Sequence, residues 1–290
     1  MANTIKKILA ISRPKMWVYP AGAYIIGFAA SSYHWVYVTS AAFWLHVLFF
    51  SIVAGIFIHG IAAFFDEPAS NHTTKQKLEN KARVEPLGEP SEHWLIPVLL
   101  AVLALGAIFL FLQPNYPSAA LFVAFLFLGY AYSAPPFRLK DRPLLDIFST
   151  VLFILPGVIG YTQNAHELSE PFMIAAAWFW IAGTVLFSSL GETSPTAYSP
   201  DLADASTVKV YGRRVSLYIA AILLEIAALL VILSWQFFPF TLITLVFPVF
   251  PLWFLQRAKS ETQVGAWIMF YMNTALVFAI CGTVIFQLVF

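Results

Sequence analysis

Apolar residues along this chain recur in long runs rather than in the alternating or three-and-four spacing of half-buried elements, and polar positions gather in the gaps between runs. A helix needs roughly 20 mainly apolar residues to cross about 30 Å of hydrocarbon. Nine windows answer to that criterion: Met16 to Tyr33, Ala41 to Phe65, His93 to Leu112, Ser118 to Tyr132, Pro143 to Tyr161, Pro171 to Leu190, Ser216 to Trp235, Phe237 to Leu255, and Val264 to Phe290. The fourth is short for a span, and the seventh and eighth are separated by a tight turn from Trp235 to Phe237. Pro156, Pro239, Pro248 and Pro251 fall inside windows and should kink or break their helices, which suits a bundle built around a cavity. The pattern predicts an all-α integral membrane protein of nine transmembrane helices, a single membrane domain over 1–290. The apolar run between Lys7 and Arg13 is too short for a signal-peptide core, so the N-terminus is expected to be retained.

Composition supports this class: 60% of residues are hydrophobic and 11% charged, too little polar surface for a soluble domain or a disordered chain. Sixteen basic residues offset fifteen acidic ones, so the net charge of +1 gives no handle for nucleic acid. The single cysteine, Cys281, excludes an internal disulfide and a cysteine metal cluster.

Charge also orients the chain, because short cytoplasmic loops collect Lys and Arg. With nine spans and a cytoplasmic N-terminus, Lys6, Lys7, Arg13 and Lys15 share one side with Lys75, Lys77, Lys81 and Arg83. The same side receives Arg138, Lys140, Arg142, Lys209, Arg213, Arg214, Arg257 and Lys259, while the opposite loops hold Glu167 and Glu170. The C-terminus is then expected on the opposite side. Two cytoplasmic connections, at about 66–92 and 191–215, are long enough to carry function, which puts the chemistry on that face.

The third cytoplasmic loop reads YSAPPFRLKDRP from Tyr132 to Pro143, a double-proline turn followed by three cations, a composition that suits either an anionic ligand or lipid headgroups. The longer segment GYAYSAPPFRLKDRPLLD, Gly129 to Asp146, resembles the tyrosine-proline-basic signature of the UbiA superfamily of intramembrane prenyltransferases. The resemblance extends to SRPKMW at Ser12 to Trp17 and to ILPGVIGY at Ile154 to Tyr161, and in pattern it is most similar to the carotenoid branch, of lycopene elongase type.

That resemblance implies a UbiA-type helical bundle with a central cavity opening to the cytoplasmic side. It also implies a mechanism: an isoprenyl diphosphate binds through Mg²⁺ to two aspartate-rich motifs at the cytoplasmic ends of helices two and six, ionises to an allylic cation, and is attacked by a lipophilic acceptor. Metal is needed because diphosphate leaves poorly until its charge is neutralised. Water must be excluded, and aromatic faces can stabilise the cation.

Both motifs depart from the family pattern. The first, NDxxDxxxD, falls on AAFFDEPAS: Ala62 and Ala63 replace its opening pair, Asp66 keeps the central acid, Ser70 holds the last position, and Glu67 is a possible substitute. The second, DxxxD, places Pro195 and Ser199 at its acid positions, with Asp201, Asp204 and Glu192 close by. Two readings stay open. Either Asp66, Glu67, Glu192, Asp201 and Asp204 form a rearranged Mg²⁺ site, with Asp66, Asp201 and Asp204 as its catalytic core and Arg83, Arg138, Lys140 and Tyr132 holding the diphosphate, or the fold retains its shape without the chemistry. The resemblance thus implies a prenyltransferase moving an isoprenyl group to a lipophilic acceptor, possibly a carotenoid such as lycopene. The alternative is an inactive relative that binds an isoprenoid or scaffolds membrane partners, and a terpene cyclase would share the cation chemistry.

The loop KLENKARVEPLGEPSEHW resembles in outline the family's arginine-proline-glycine passage, with Arg83 and Gly88 as counterparts; a solvated mixed-charge loop explains it equally. Glu225, midway along the seventh window, is expected to face a polar partner inside the bundle, and Asn273 to bond between helices. Tyr130, Tyr132, Trp178, Trp180 and Tyr271 are candidates to line an isoprenoid chamber. A transporter fits less well, because only Glu225 is deep and no internal repeat is visible.

Overall fold

A computed structural model of the chain describes residues 2–31, 40–65 and 92–164, together with positions 210, 211, 215, 216, 218, 219, 222, 223 and 226. All regular structure among the described residues is helical. They fall into two compact units: the first holds the described residues up to Arg138 and Leu155–Asn164, the second Leu139–Ile154 and the described positions between 210 and 226.

In the first unit, α1 (Ala2–Ile11) ends at a sharp elbow. The Ser12 hydroxyl donates back to the Leu9 carbonyl at 2.7 Å, Arg13 turns into the left-handed region with φ 49°, and Pro14 opens a short 3₁₀ turn, Pro14–Met16. The Trp17 indole N–H then donates to the Ser12 carbonyl at 3.0 Å, closing the elbow before α2 (Val18–Ser31) begins. The first window therefore starts its α-helix two residues later than its apolar run, because Pro14 and the left-handed Arg13 hold the preceding turn apart.

The second window is helical throughout Ala41–Phe65, but not uniformly so. Ser40 caps it by accepting from the Phe43 N–H at 3.2 Å, α3 (Ala41–Leu48) follows, a π turn spans Phe49–Val53, and α4 (Ala54–Phe65) completes it. The wider turn adds a residue to one face, so that Phe49 and Phe50 are both buried.

The third window becomes α5 (Glu92–Phe111), with Pro97 inside it. The fourth corrects the expectation of a short segment: α6 runs Tyr116–Ser133, 18 residues, long enough to span. Asn115 explains the extra length, since its side chain accepts from the Ser118 N–H at 2.9 Å and Pro117 in the first turn has no N–H that would need an acceptor.

The fifth window is not one helix. In the second unit, α7 (Leu145–Phe148) passes into a 3₁₀ turn at Ser149–Phe153; in the first, α8 (Leu155–Asn164) begins afresh with Pro156 in its opening turn. A proline in the first turn has no N–H to leave without a partner, so the break expected at Pro156 becomes a helix start.

Packing in the first unit rests on two devices. Helices α2 and α8 meet backbone to backbone: a Cβ on Gly27 would fall on the Gly157 carbonyl, and one on Gly160 would lie 2.6 Å from the Tyr24 carbonyl oxygen. Small residues permit close approach where lipid supplies no hydrophobic drive between helices. Beside this seam, Tyr24, Phe43, Phe49, Phe50, Phe122 and Phe125 form a fully enclosed aromatic core, with Phe49 and Phe109 at 4.4 Å between ring centroids. Outside it, Leu100, Ile108, Phe111 and Tyr116 are exposed, the apolar surface a lipid-facing bundle presents.

Alternation of direction gives the unit two ends. Phe65 and Ser133 lie at one. Ser40, Gln113, Asn115 and Gln163 lie at the other, tied there by side-chain hydrogen bonds.

Candidate functional site

The described residues of the tyrosine-proline-basic segment lie at the Phe65 end of the first unit and in the turn that leaves it. Pro135 and Pro136 lack N–H groups, so α6 stops before them. The Ala134 N–H donates to the Tyr130 carbonyl at 2.9 Å, the Tyr130 hydroxyl donates to the Pro135 carbonyl at 3.2 Å, and the Pro135–Pro136 peptide is cis. Phe137 sets its ring edge-on to Phe127, 5.5 Å away. The turn closes at Arg138, whose N–H donates to the Ala134 carbonyl at 2.9 Å and whose φ is 40°. A left-handed non-glycine residue costs about 1–2 kcal/mol, so the surrounding bonds fix Arg138 in a conformation it would not choose alone. Its side chain is half-buried, as is that of Tyr132.

Ser133 was passed over in the sequence. Its Oγ is buried and makes no hydrogen bond, whereas a helical serine ordinarily bonds back to a carbonyl one turn earlier. A buried hydroxyl left without a partner is costly unless a ligand supplies one. Its only signal in the sequence was its place between Tyr132 and the proline pair.

The end of α4 reaches the same place. Phe65 packs edge to face against Tyr130, ring centroids 6.3 Å apart. Ala62 is half-buried one turn earlier, and Ala63 lies in the same helical turn. Asp66 and Glu67 follow Phe65 in sequence but lie outside the described residues, with Ser70, Arg83 and Gly88. So do Glu192, Pro195, Ser199, Asp201, Asp204, Glu225, Asn273, Trp178, Trp180, Tyr271 and Cys281. Among the candidate residues, then, Tyr130 meets Phe65, and Tyr132 and Arg138 lie in the same stretch of α6 and its closing turn.

Lys140 belongs to the second unit, half-buried in a 3₁₀ turn at Leu139–Asp141. The Arg142 N–H bonds to the Leu139 carbonyl at 3.2 Å, and Leu144 takes φ 68° before α7 begins. This unit's basic turn is thus held by backbone bonds.

A further cation emerges from the elbow. The Ser12 carbonyl lies against Gly55, where a Cβ would come within 2.7 Å of it. Arg13 is the next residue, and its side chain is exposed. Gly55 precedes Phe65 by ten residues, about 15 Å of helix, so Arg13 leaves the backbone well inside the rod's length rather than at its tip. The sequence grouped it with the cytoplasmic flank because a left-handed arginine carries no sequence signature.

Among the described residues no three His, Cys, Asp or Glu side chains gather as metal ligands. The five acids named from the sequence, which lie outside the described residues, would make an all-oxygen donor set of the kind that Mg²⁺ takes.

The UbiA prenyltransferase family model matches residues 23–278. The chain is 30% identical over 188 residues to the lycopene elongase/hydratase of Haloarcula japonica, covering 65% of this chain and 62% of that protein. Thus the match spans less than two thirds of that relative's length. It is 27% identical over 281 residues to the lycopene elongase/hydratase of Corynebacterium glutamicum, covering 93% of each. Among solved structures, a UbiA homolog from Archaeoglobus fulgidus superposes with a TM-score of 0.67 at 21% identity, covering 96% of this chain and 99% of that one. The same homolog bound to DMAPP and Mg²⁺ gives 0.68 at 19% identity. At these identities the structural likeness is one of fold.

Proposed function

Because the chain belongs to the UbiA prenyltransferase family, whose members are integral membrane proteins, we propose that it transfers an isoprenyl group from an isoprenyl diphosphate to a lipophilic acceptor, with a carotenoid such as lycopene as that acceptor. The observation that carries the reading is the meeting of Phe65 with Tyr130, which joins the helix leading to Asp66 to the turn carrying Arg138. The relatives named lycopene elongase/hydratase supply the acceptor class.

In this reading nine spans form one membrane domain over 1–290, N-terminus cytoplasmic and C-terminus opposite, with the cavity opening to the cytoplasm. Asp66, Asp201 and Asp204, assisted by Glu67 and Glu192, hold Mg²⁺, and Arg83, Arg138, Lys140 and Tyr132 bind the diphosphate. Arg13 and the Ser133 hydroxyl join them. Held by these acids, Mg²⁺ would supply neutralisation of the leaving diphosphate's charge. The cations take up the charge that develops on its oxygens, and the aromatic packing behind Phe65 and Tyr130 keeps water from the carbon that loses it.

The test is transfer: purified protein with Mg²⁺, dimethylallyl diphosphate and lycopene should yield a lycopene lengthened by the donor's carbons. Diphosphate release without such a product across a panel of carotenoid and quinone acceptors would remove the carotenoid assignment.

One set of positions favours a second reading, an inactive relative that binds an isoprenoid or scaffolds membrane partners: Ala62, Ala63, Ser70, Pro195 and Ser199 stand where the family has ligands.

A further inference from the structure

The end of the first unit remote from Phe65 holds a polar chain that the proposed reaction does not use. The Tyr24 hydroxyl donates to Gln163 Oε1 at 2.8 Å, Gln163 Nε2 donates to Gln113 Oε1 at 3.0 Å, and Gln113 Nε2 lies 3.1 Å from His46 Nε2. His46 Nδ1 is 2.8 Å from the Ala42 carbonyl. A carbonyl can only accept, so Nδ1 carries the proton. Nε2 of the neutral ring then accepts from Gln113, and every bond in the chain runs the same way, from Tyr24 to the backbone of α3. The second N–H of Gln113 donates to the Phe109 carbonyl at 2.9 Å, which exhausts that amide's donors.

Three further facts give this chain its meaning. The polar chain joins α2, α3, the turn after α5, and α8 at this end. It lies directly on aromatic rings: Tyr24 stacks on His46 at 5.5 Å with planes 9° apart, and Phe109 meets His46 edge-on at 5.2 Å. Beside it Phe111 and Tyr116 are 88% and 93% exposed, aromatic side chains of the kind that sit where hydrocarbon meets water. A second clasp, Asn115 Nδ2 to the Thr162 carbonyl at 2.6 Å, satisfies a carbonyl at the end of α8.

We propose that the Tyr24–Gln163–Gln113–His46 chain is a dry seal, which hinders water at this end of the first unit by pairing its polar groups with one another. Polar side chains at a membrane interface draw water when unpaired and exclude it when paired with one another. The consequence for catalysis rests on the reading of the protein as a prenyltransferase. When the allylic C–O bond breaks and its electron pair leaves on the diphosphate oxygen, water that reached the carbon would form a new C–O bond, lose a proton to solvent and divert the group to a prenyl alcohol.

The seal can be read without turnover. Ile159, fully buried one turn inside Gln163, is replaced by cysteine in full-length protein carrying Cys281→Ser, held in nanodiscs and exposed to a charged, water-soluble methanethiosulfonate. Tyr116→Cys is the exposed control. The Ile159→Cys thiol should react at least about 100-fold more slowly than the control, and Gln113→Leu or the milder Tyr24→Phe should raise its rate about tenfold or more. Reaction of Ile159→Cys at the control rate with the chain intact would overturn the proposal. So would unchanged protection after both substitutions in protein whose helical content and melting show it folded, since the aromatic layer alone would then be the barrier.

Discussion

Phe65 and Tyr130 meet edge to face, with ring centroids 6.3 Å apart and planes at 88°. Through this pair the last residue of α4 before Asp66 is fixed against the last turn of α6, five residues from the carbonyl of Pro135 that the Tyr130 hydroxyl reaches. The carboxylate side and the basic side of the proposed site therefore share one packed contact, and disturbing either end should be felt at both.

Substituting the cations tests that arrangement. Arg13→Ala, Arg138→Ala and Lys140→Ala should each weaken isoprenyl diphosphate binding about tenfold or more, the scale of a lost charge-assisted bond. Lys6→Ala, exposed on α1, should leave affinity within about twofold. Calorimetric titration distinguishes the two classes.

The α2–α8 seam makes a sharper prediction about stability. Gly27→Ala sets a methyl on the Gly157 carbonyl, backbone that cannot yield, and should cost upwards of about 3 kcal/mol. Gly106→Ala meets only the Leu126 methyls at 3.4 Å and should be neutral or stabilising by up to about 1 kcal/mol. Thermal unfolding in detergent gives the comparison.

At the elbow, Trp17→Phe removes the indole bond to the Ser12 carbonyl and should cost about 1 kcal/mol. Gly55→Ala crowds the same carbonyl and should cost about 1–3 kcal/mol. Both act on one contact, so the double variant should lose less than the sum of the two.

Under the inactive-relative reading, Ala63→Asp, Ser70→Asp, Pro195→Asp and Ser199→Asp together should create Mg²⁺-dependent transfer absent from the unaltered chain. Under the proposed function, the unaltered chain transfers first, and the four added acids are not required.

The sequence was legible where one physical rule acts alone. Length and apolarity place the second helical rod at Ala41–Phe65, and the missing proline N–H places the break at Pro156. Features that depend on partners distant in sequence were not legible. The π turn at Phe49–Val53 has no residue signature, and the span of α6 was misjudged because the cap at Asn115 was not recognised. Nothing in the sequence signals the bond between Gln113 and Gln163, which the fold joins across fifty residues. For the proposed site, the signature around Tyr132 marks the turn at Pro135–Pro136 but carries no sign of the buried Ser133 hydroxyl or of the left-handed elbow at Arg13.

The central claim is a Mg²⁺-dependent isoprenyl diphosphate site built from rearranged acids, and it is tested most directly by binding rather than turnover. Geranylgeranyl diphosphate should bind the purified protein with Mg²⁺, lose that binding in excess chelator, and lose it again in Asp66→Ala and Asp201→Ala. Folded protein that binds nothing under either condition, or binds equally well with chelator present, would contradict the account.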